Sequence, residues 1–397
     1  DDGERTQDLG FTNLNHALIN MKRTGSPWGM VIGITPYSSR GYDVSIEREQ
    51  EIEGNTADLL DQYSGSGGIN KALIGLSRKF STSEYYVKSN KLDSALYNKH
   101  QLSLGINANY FFGNLDEVRR INFEDPNFLD ARITADTRMQ SFGFDIGFIY
   151  KTILNQRFDE DLKIDEKWEL TVGGTYTPSM DWNTTFKEVR ENVQQFSGVD
   201  FVVDTAKFIS GAGFTTIPER ITFGAAITHR GSSNWQWTLG GDIKLQSWSN
   251  SVRTLDGISQ NLGFENSTMT SFGVTFEPMD YEDTPSIFHR TTYYLGARSE
   301  SSYLSIGDNT VTDQAVSGGL SFPVLASGSA TRINFGMEFG QRGSTDGILV
   351  QEQYFLFNFG VSLSPRLRST AKDPGSAMNV DAGFNIPDPT TIDRLEG

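Results

Sequence analysis

The chain has 397 residues, with 34 Lys and Arg against 50 Asp and Glu, a formal charge of −16, 40 glycines and no cysteine. A disulfide framework and any cysteine-ligated zinc or iron–sulfur site are excluded. Nucleic acid is a poor partner for so acidic a chain without a basic cluster, because phosphate-backbone affinity depends on patches of Lys and Arg. Only 37% of residues are apolar while 12% are aromatic. No run of about 18 apolar residues exists to make a membrane helix.

Glycines and aromatics in short alternating stretches point to strands. In chain order, strands are predicted at about 11–23, 28–42, 67–80, 99–113, 131–152, 166–181, 213–230, 234–250, 267–280, 288–302, 311–323, 329–341 and 352–364. The clearest is the fourth, where Leu102, Leu104, Ile106, Ala108, Tyr110 and Phe112 alternate with Gln101, Ser103, Gly105, Asn107 and Asn109. The period of two recurs in Phe142 to Tyr150, in Trp235 to Leu245, in Phe272 to Phe276, in Ile333 to Phe339 and in Phe355 to Leu363. One face is apolar throughout, and the other is rich in Gly, Ser, Thr and Asn rather than in the Lys, Glu and Arg that a water-facing sheet carries. No repeat of about 40 residues suggests a propeller. The reading is an all-β, transmembrane antiparallel β-barrel in a bacterial outer membrane.

Links between the strands alternate in length. Short ones fall at Lys22 to Pro27, His229 to Asn234 and Pro323 to Ser329, and long polar ones at Tyr42 to Gly67, Gly113 to Asp130, Trp182 to Gly213 and Asn250 to Ser267. Outer-membrane barrels keep short turns in the periplasm and long loops outside. Ser81 to Asn98 and Thr152 to Asp165 are longer than that rule expects of periplasmic links. On this orientation residues 1–10 begin on the outer side, 11–364 form the barrel and 365–397 are a periplasmic tail. Because single-chain barrels have even strand numbers, thirteen visible strands imply about fourteen. Asp1 is neither an initiator Met nor the start of a signal peptide, so a processed or truncated start is expected.

Several strings bear a family likeness. Trp28 to Tyr42 (WGMVIGITPYSSRGY), Gly65 to Asn70 (GSGGIN), Leu104 to Gly113 (LGINANYFFG), Gly240 to Asp242 with Trp248, Arg290 to Gly296, Gly318 to Pro323 (GGLSFP) and Asn334 to Gly340 (NFGMEFG) resemble FadL-type outer-membrane proteins of Bacteroidota. The resemblance spans about 28–364. It implies a fourteen-stranded barrel, an N-terminal hatch and passage of hydrophobic compounds such as fatty acids, often through a gap in the wall. The family's hatch with its Asn-Pro-Ala motif has no counterpart here.

Charges on the inward parity are the first candidate site: Asp145, Lys151, Glu169, Asp242, Lys244, Glu277, Arg298 and Glu338. Both signs occur, so they can pair, as burial in a narrow interior requires; as a polar collar they would set what passes. The second candidate lies in Thr184 to Ser210, where Phe186, Val189, Val193 and Phe196 recur at helical spacing, an amphipathic lid or entry site for an apolar ligand. Trp28, Trp168, Trp182, Trp235, Trp237 and Trp248, with Tyr37, Tyr110, Tyr150, Tyr293 and Tyr294, suit aromatic girdles at the two membrane interfaces. His16, His100, His229 and His289 lack metal-ligand spacing, and no nucleophile elbow occurs, so no enzymatic role, metal or cofactor is expected. Gly65 to Gly68 reads as a loop or strand kink, and Glu47 to Glu53 as a solvated outer loop. Two functions are expected: passive uptake of small hydrophobic molecules, or a non-transporting barrel subunit of an envelope complex. Its partners would be the lipid bilayer, a hydrophobic ligand or bound lipid, and outer-membrane or periplasmic proteins reached through the long loops and the tail.

Overall fold

Strict alternation commits the chain to extended backbone, since only a strand sends successive side chains to opposite faces. The computed structural model describes residues 15–363 apart from 24, 53–54, 88–93, 124–127, 159–163, 197–198, 232–234, 279–286, 307–308, 324–330 and 344–350. Its strands are β1 (Ala17–Lys22), β2 (Trp28–Ile52), β3 (Asn55–Val87), β4 (Ser94–Phe123), β5 (Asp130–Phe158), β6 (Ile164–Thr177), β7 (Met180–Phe196), β8 (Val199–Ile217) and β9 (Arg220–Arg230). They continue as β10 (Trp235–Gln246), β11 (Val252–Leu255), β12 (Ile258–Asn261), β13 (Ser267–Pro278), β14 (Thr292–Ile306), β15 (Asn309–Pro323), β16 (Arg332–Arg342) and β17 (Glu352–Ser362). Two 3-10 turns occupy Trp248–Asn250 and Ile287–Arg290.

Thirteen of these strands make one curled antiparallel sheet in the order β1-β2-β3-β4-β5-β6-β9-β10-β13-β14-β15-β16-β17. They are the thirteen anticipated from the alternation. The Asn15 side-chain amide donates to Asn358 Oδ1 at 3.5 Å, touching across the two ends of the sheet. Register keeps the apolar parity on one side: Leu239, Val274 and Leu295 are cross-strand neighbours, and so are Met337 and Phe357. Leu104, Phe144 and Phe357 are 46%, 47% and 58% exposed. A water-soluble core would bury them; a barrel turns them toward hydrocarbon.

At the rim carrying the short turns, Trp168, His229 and Trp237 cluster, with Trp168 ring centroids 4.3 Å from His229 and 5.5 Å from Trp237. Trp235 lies beside His289 and Tyr293 on the same rim, and the Tyr150 hydroxyl is 2.9 Å from His100 Nδ1. Tyr110, Phe112 and Phe142 group toward the other rim. This is the girdle arrangement of membrane barrels.

The long links are not loops. β2 and β3 stay paired out to Ile52 and Asn55, and β4 pairs β5 as far as Ile121 and Ala131. On the opposite rim Val87 pairs Ser94 and Phe158 pairs Ile164, so the described parts of the two overlong links there are strand too. Strands standing in water on both faces carry polar residues at both parities, and so show no period. Gly67 has φ +108°, a conformation that suits glycine, which makes Gly65 to Gly68 a kink within β3.

The segment Thr184 to Ser210 is a correction: it is no helix but most of the antiparallel β7–β8 hairpin. β6 pairs β5 only from Ile146 onward, leaving the outer edge of β5 open, and β7 takes that edge from Asp130 to Gln140. Unsatisfied backbone donors and acceptors outrank side-chain periodicity here. Two further boundaries move. Gly213–Ile217 ends β8, so the spanning strand β9 starts at Arg220, and the Asn250 to Ser267 link holds the β11–β12 hairpin. The expectations for residues 1–10 and for the tail 365–397 lie outside the described residues.

If Met337 faces lipid near the bilayer midplane, Met337→Arg should cost roughly 2–4 kcal/mol. Denaturant unfolding from phospholipid vesicles would measure it, and a loss well under about 1 kcal/mol would place that parity away from hydrocarbon.

Candidate functional site: a sealed outer mouth over a charged interior

Pro178 and Pro218 stand between β6 and β7 and between β8 and β9. Each lacks the donor that would continue the ladder, so the β7–β8 hairpin leaves the wall at these two points. Its base is tied inward by side chains: Ser141 Oγ donates to the Asp181 carbonyl at 3.1 Å, Ser179 Oγ to the Ile217 carbonyl at 3.1 Å, and Ser251 Oγ to the Thr216 carbonyl at 2.6 Å. Thr184 and Thr215 hydroxyls meet at 2.9 Å across the hairpin.

These ties bring one apolar cluster together from Ile69 of β3, Phe111 of β4, Met139 of β5, Trp182 of β7, Ile217 of β8, Trp248 of the first 3-10 turn and Tyr303 of β14. Trp182 and Phe111 are each 1% exposed and stack with ring centroids 4.8 Å apart. Tyr37 sits 5.1 Å from both rings, and the Arg220 guanidinium lies 5.6 Å over Tyr37. On the far side Trp248 stacks on Tyr303 at 4.5 Å, with Phe264 edge-on to both. Along the wall β3 and β14 are separated by β4, β5, β6, β9, β10 and β13, so a contiguous core that joins them crosses the interior. It lies inside the wall at the outer end of the sheet. Trp182, Trp248 and Tyr37 therefore belong to this core and not to an interfacial girdle, a correction that follows from the hairpin folding inward.

The eight charges predicted to face inward all occupy the inner parity of the ladder. Arg298 binds Glu338 at 3.0 Å and Asp313 at 3.3 Å, and donates to the Tyr354 hydroxyl at 2.6 Å; Tyr354 in turn donates to Asp313 Oδ1 at 2.7 Å. Arg342 reaches Asp313 at 2.9 Å, and Glu300 bridges Arg298 and Lys244 at 3.6 Å each. Asp145 faces Lys71 at 3.8 Å and accepts from Thr177 Oγ1 at 2.7 Å. Glu169 lies 3.9 Å from Lys151 and 2.5 Å from Lys167. Asp242 accepts from Ser271 Oγ at 2.6 Å, and Glu277 from Gln236 at 3.4 Å. The charges thus divide into a dense network on β10 and β14–β17 and separate pairs on the opposite wall; they do not form one ring.

Asp313, Arg342, Tyr354, Glu300 and Lys71 were missed by sequence reasoning. They lie on the same inward parity, and counting residues in register from Arg298 and Asp145 would have found them. Phe186 and Val189, an odd number of residues apart on β7, point to opposite faces of the hairpin and cannot share an apolar stripe. Phe196 ends β7.

Outside the membrane, Arg40 pairs Glu117 at 3.4 Å, and Arg253 of β11 lies near both. Burial first, and the like charge of Arg40 second, pull the Arg253 guanidinium down from its ordinary value. Arg132 bridges Glu191 at 2.8 Å and Asp200 at 3.3 Å, and Arg120 also pairs Asp200, binding the outer ends of β4, β5, β7 and β8. Among the described residues no group of three metal-binding side chains occurs.

The model of one outer-membrane barrel family, BamG, matches residues 2–367. The chain belongs to the BamG family. No curated protein matches it. Among solved structures it is similar to the CymD monoaromatic hydrocarbon channel, at 14% identity and TM-score 0.38, over 85% of this chain and 88% of that one. It is also similar to the Pseudomonas putida toluene transporter TodX, at 12% identity and TM-score 0.37, over 87% and 90% of the two chains. This BamG-family protein is an outer-membrane β-barrel.

Two substitutions separate the parts of the site. Asp313→Ala removes the carboxylate that Arg298, Arg342 and Tyr354 share while leaving Arg298 with Glu338 and Glu300 and Arg342 with Glu352, and should cost about 2–3 kcal/mol, whereas Asp242→Ala removes one hydroxyl bond and should cost about 1 kcal/mol; thermal unfolding in detergent reads the difference. Trp182→Ala should cost about 3–5 kcal/mol and raise single-channel conductance in planar bilayers, while a variant as silent as the parent would mean that the seal does not depend on this ring.

Proposed function

We propose that this BamG-family protein is a non-enzymatic, non-transporting barrel that serves as a subunit of a larger outer-membrane protein assembly. The observation that carries this reading is the aromatic core that the β7–β8 hairpin folds inward at the outer end of the wall, a position from which it would obstruct an axial route from the medium. Family membership supports an accessory role. A contact surface is at hand on the extracellular side. Val199, Phe201, Val203 and Phe208 of β8 are 57%, 56%, 54% and 63% exposed. Among the described residues β8 has a second strand neighbour, β11, only at Gly213–Thr215. Natural proteins cover or charge such edges, and a partner in the assembly would cover this one. The lumen charges then act as structural fill, satisfying one another in place of water.

A second reading, passive uptake of small hydrophobic molecules, is favoured by Ile149. It is on the inward parity of β5, below the seal, and is 46% exposed, so apolar surface remains accessible inside the wall. A ligand would then cross the wall and not the mouth, and the charges from Asp145 to Glu338 would exclude ions.

Purification in mild detergent from the cells that make the protein distinguishes the two. Stoichiometric protein partners, lost on the double change Phe201→Asp and Val203→Asp, are expected. A lone barrel that carries a bound hydrophobic molecule and keeps it in that variant would overturn the subunit reading in favour of uptake.

A further inference from the structure

The wall formed by β1 to β4 carries an unusual charge distribution for so acidic a protein. Residues 17–42, 64–83 and 98–115, which supply its membrane-spanning parts, contain no Asp or Glu, although the whole chain has 50. They do contain Lys22, Arg23, Arg78 and Lys79 near the rim of the short turns. Of these, Arg78 stands on the outward, lipid-facing parity, paired across the ladder with Trp28 and Leu104. It is exposed and makes no ion pair among the described residues.

Two aromatic faces hold its guanidinium. The Arg78 Cζ lies 5.1 Å from the Trp28 ring centroid and 4.9 Å from that of Phe80, within cation–π range. Trp28 opens β2 directly after the turn at Lys22 to Pro27, so the arginine sits at the level where hydrocarbon gives way to headgroups. Beside it is a depression of about 220 Å³ in the lipid-facing surface, lined by Trp28, Leu76, Arg78, Leu104 and Ile106. Leu76, Leu104 and Ile106 are 49%, 46% and 51% exposed and continue the apolar strip toward the midplane.

A fixed cation with a planar donor fork, facing lipid at the rim, next to a shallow apolar depression continued by exposed Leu76, Leu104 and Ile106, matches one ligand chemistry. We propose that this depression binds one diacyl phospholipid of the inner leaflet, its phosphate on the Arg78 guanidinium and an acyl chain along Leu76, Leu104 and Ile106. Guanidinium binds phosphate oxygens through two parallel charge-assisted bonds. The spanning parts of these strands carry no Asp or Glu to compete with the phosphate, and the two rings hold the fork in place, reducing the ordering that binding requires.

Native mass spectrometry of the full chain in mild detergent tests this, with dioleoyl phosphatidylethanolamine as the probe and dioleoylglycerol as its phosphate-free counterpart. One phosphatidylethanolamine should be retained by the wild type at least about tenfold more tightly than dioleoylglycerol. Arg78→Ala should lose that preference while keeping the heat-modifiable gel shift of a folded barrel. Equal retention of the two lipids by the wild type, a comparison that needs no variant, would overturn the proposal. So would an unchanged preference in folded Arg78→Ala.

Discussion

In hydrocarbon no water is present to satisfy a peptide group, so each spanning segment must find its hydrogen-bond partners in a neighbouring strand. Everything else in this molecule is arranged around that requirement. It forces the unbroken antiparallel ladder from β1 to β17 and permits interior glycines wherever neighbouring strands approach closely. It also explains why the departures from a simple wall occur at the outer end. There the chain emerges into water, prolines at 178 and 218 can interrupt the ladder, and a hairpin can turn inward.

The inward turn changes the character of the barrel. A wall alone would enclose a polar passage. With Trp182 and Phe111 stacked under the hairpin and Trp248 and Tyr303 stacked opposite, the outer end acquires a core like that of a soluble domain. Below it the inner face is polar; most of its charges neutralise one another at short range, and Asp242 and Glu277 are held by Ser271 and Gln236, since an isolated charge there would face a large desolvation penalty. Asp313 shows the economy of the arrangement, serving Arg298, Arg342 and the Tyr354 hydroxyl together.

The two faces of the wall therefore do different work. Inside, charge is paired and apolar residues concentrate at one end. Outside, the aromatic rims set the depth of the protein in the membrane, and the wall of β1 to β4 keeps a cation at the headgroup level. Above the membrane the extended strands β4, β5, β7 and β8 are bound by the Arg120, Arg132, Glu191 and Asp200 cluster, while the free stretch of β8 keeps its apolar side chains in water.

Alternation by itself determined the thirteen spanning strands and their apolar face, and it put the eight chosen charges on the opposite parity of the ladder, because the two sides of the wall meet such different solvents that each position records its side. It did not determine what lies beyond the membrane. In the outer parts of β2 to β5 water touches both faces, so the sequence there carries no period, and the helical spacing of Phe186 and Val189 was a coincidence without energetic weight. Which aromatic rings leave the rim for the seal, and which charges share a partner, depended on how the β7–β8 hairpin meets the open edge of β5 and on the stagger of strands far apart in sequence. Those are properties of long-range register, decided only when the sheet curls, and no local pattern of residues encodes them.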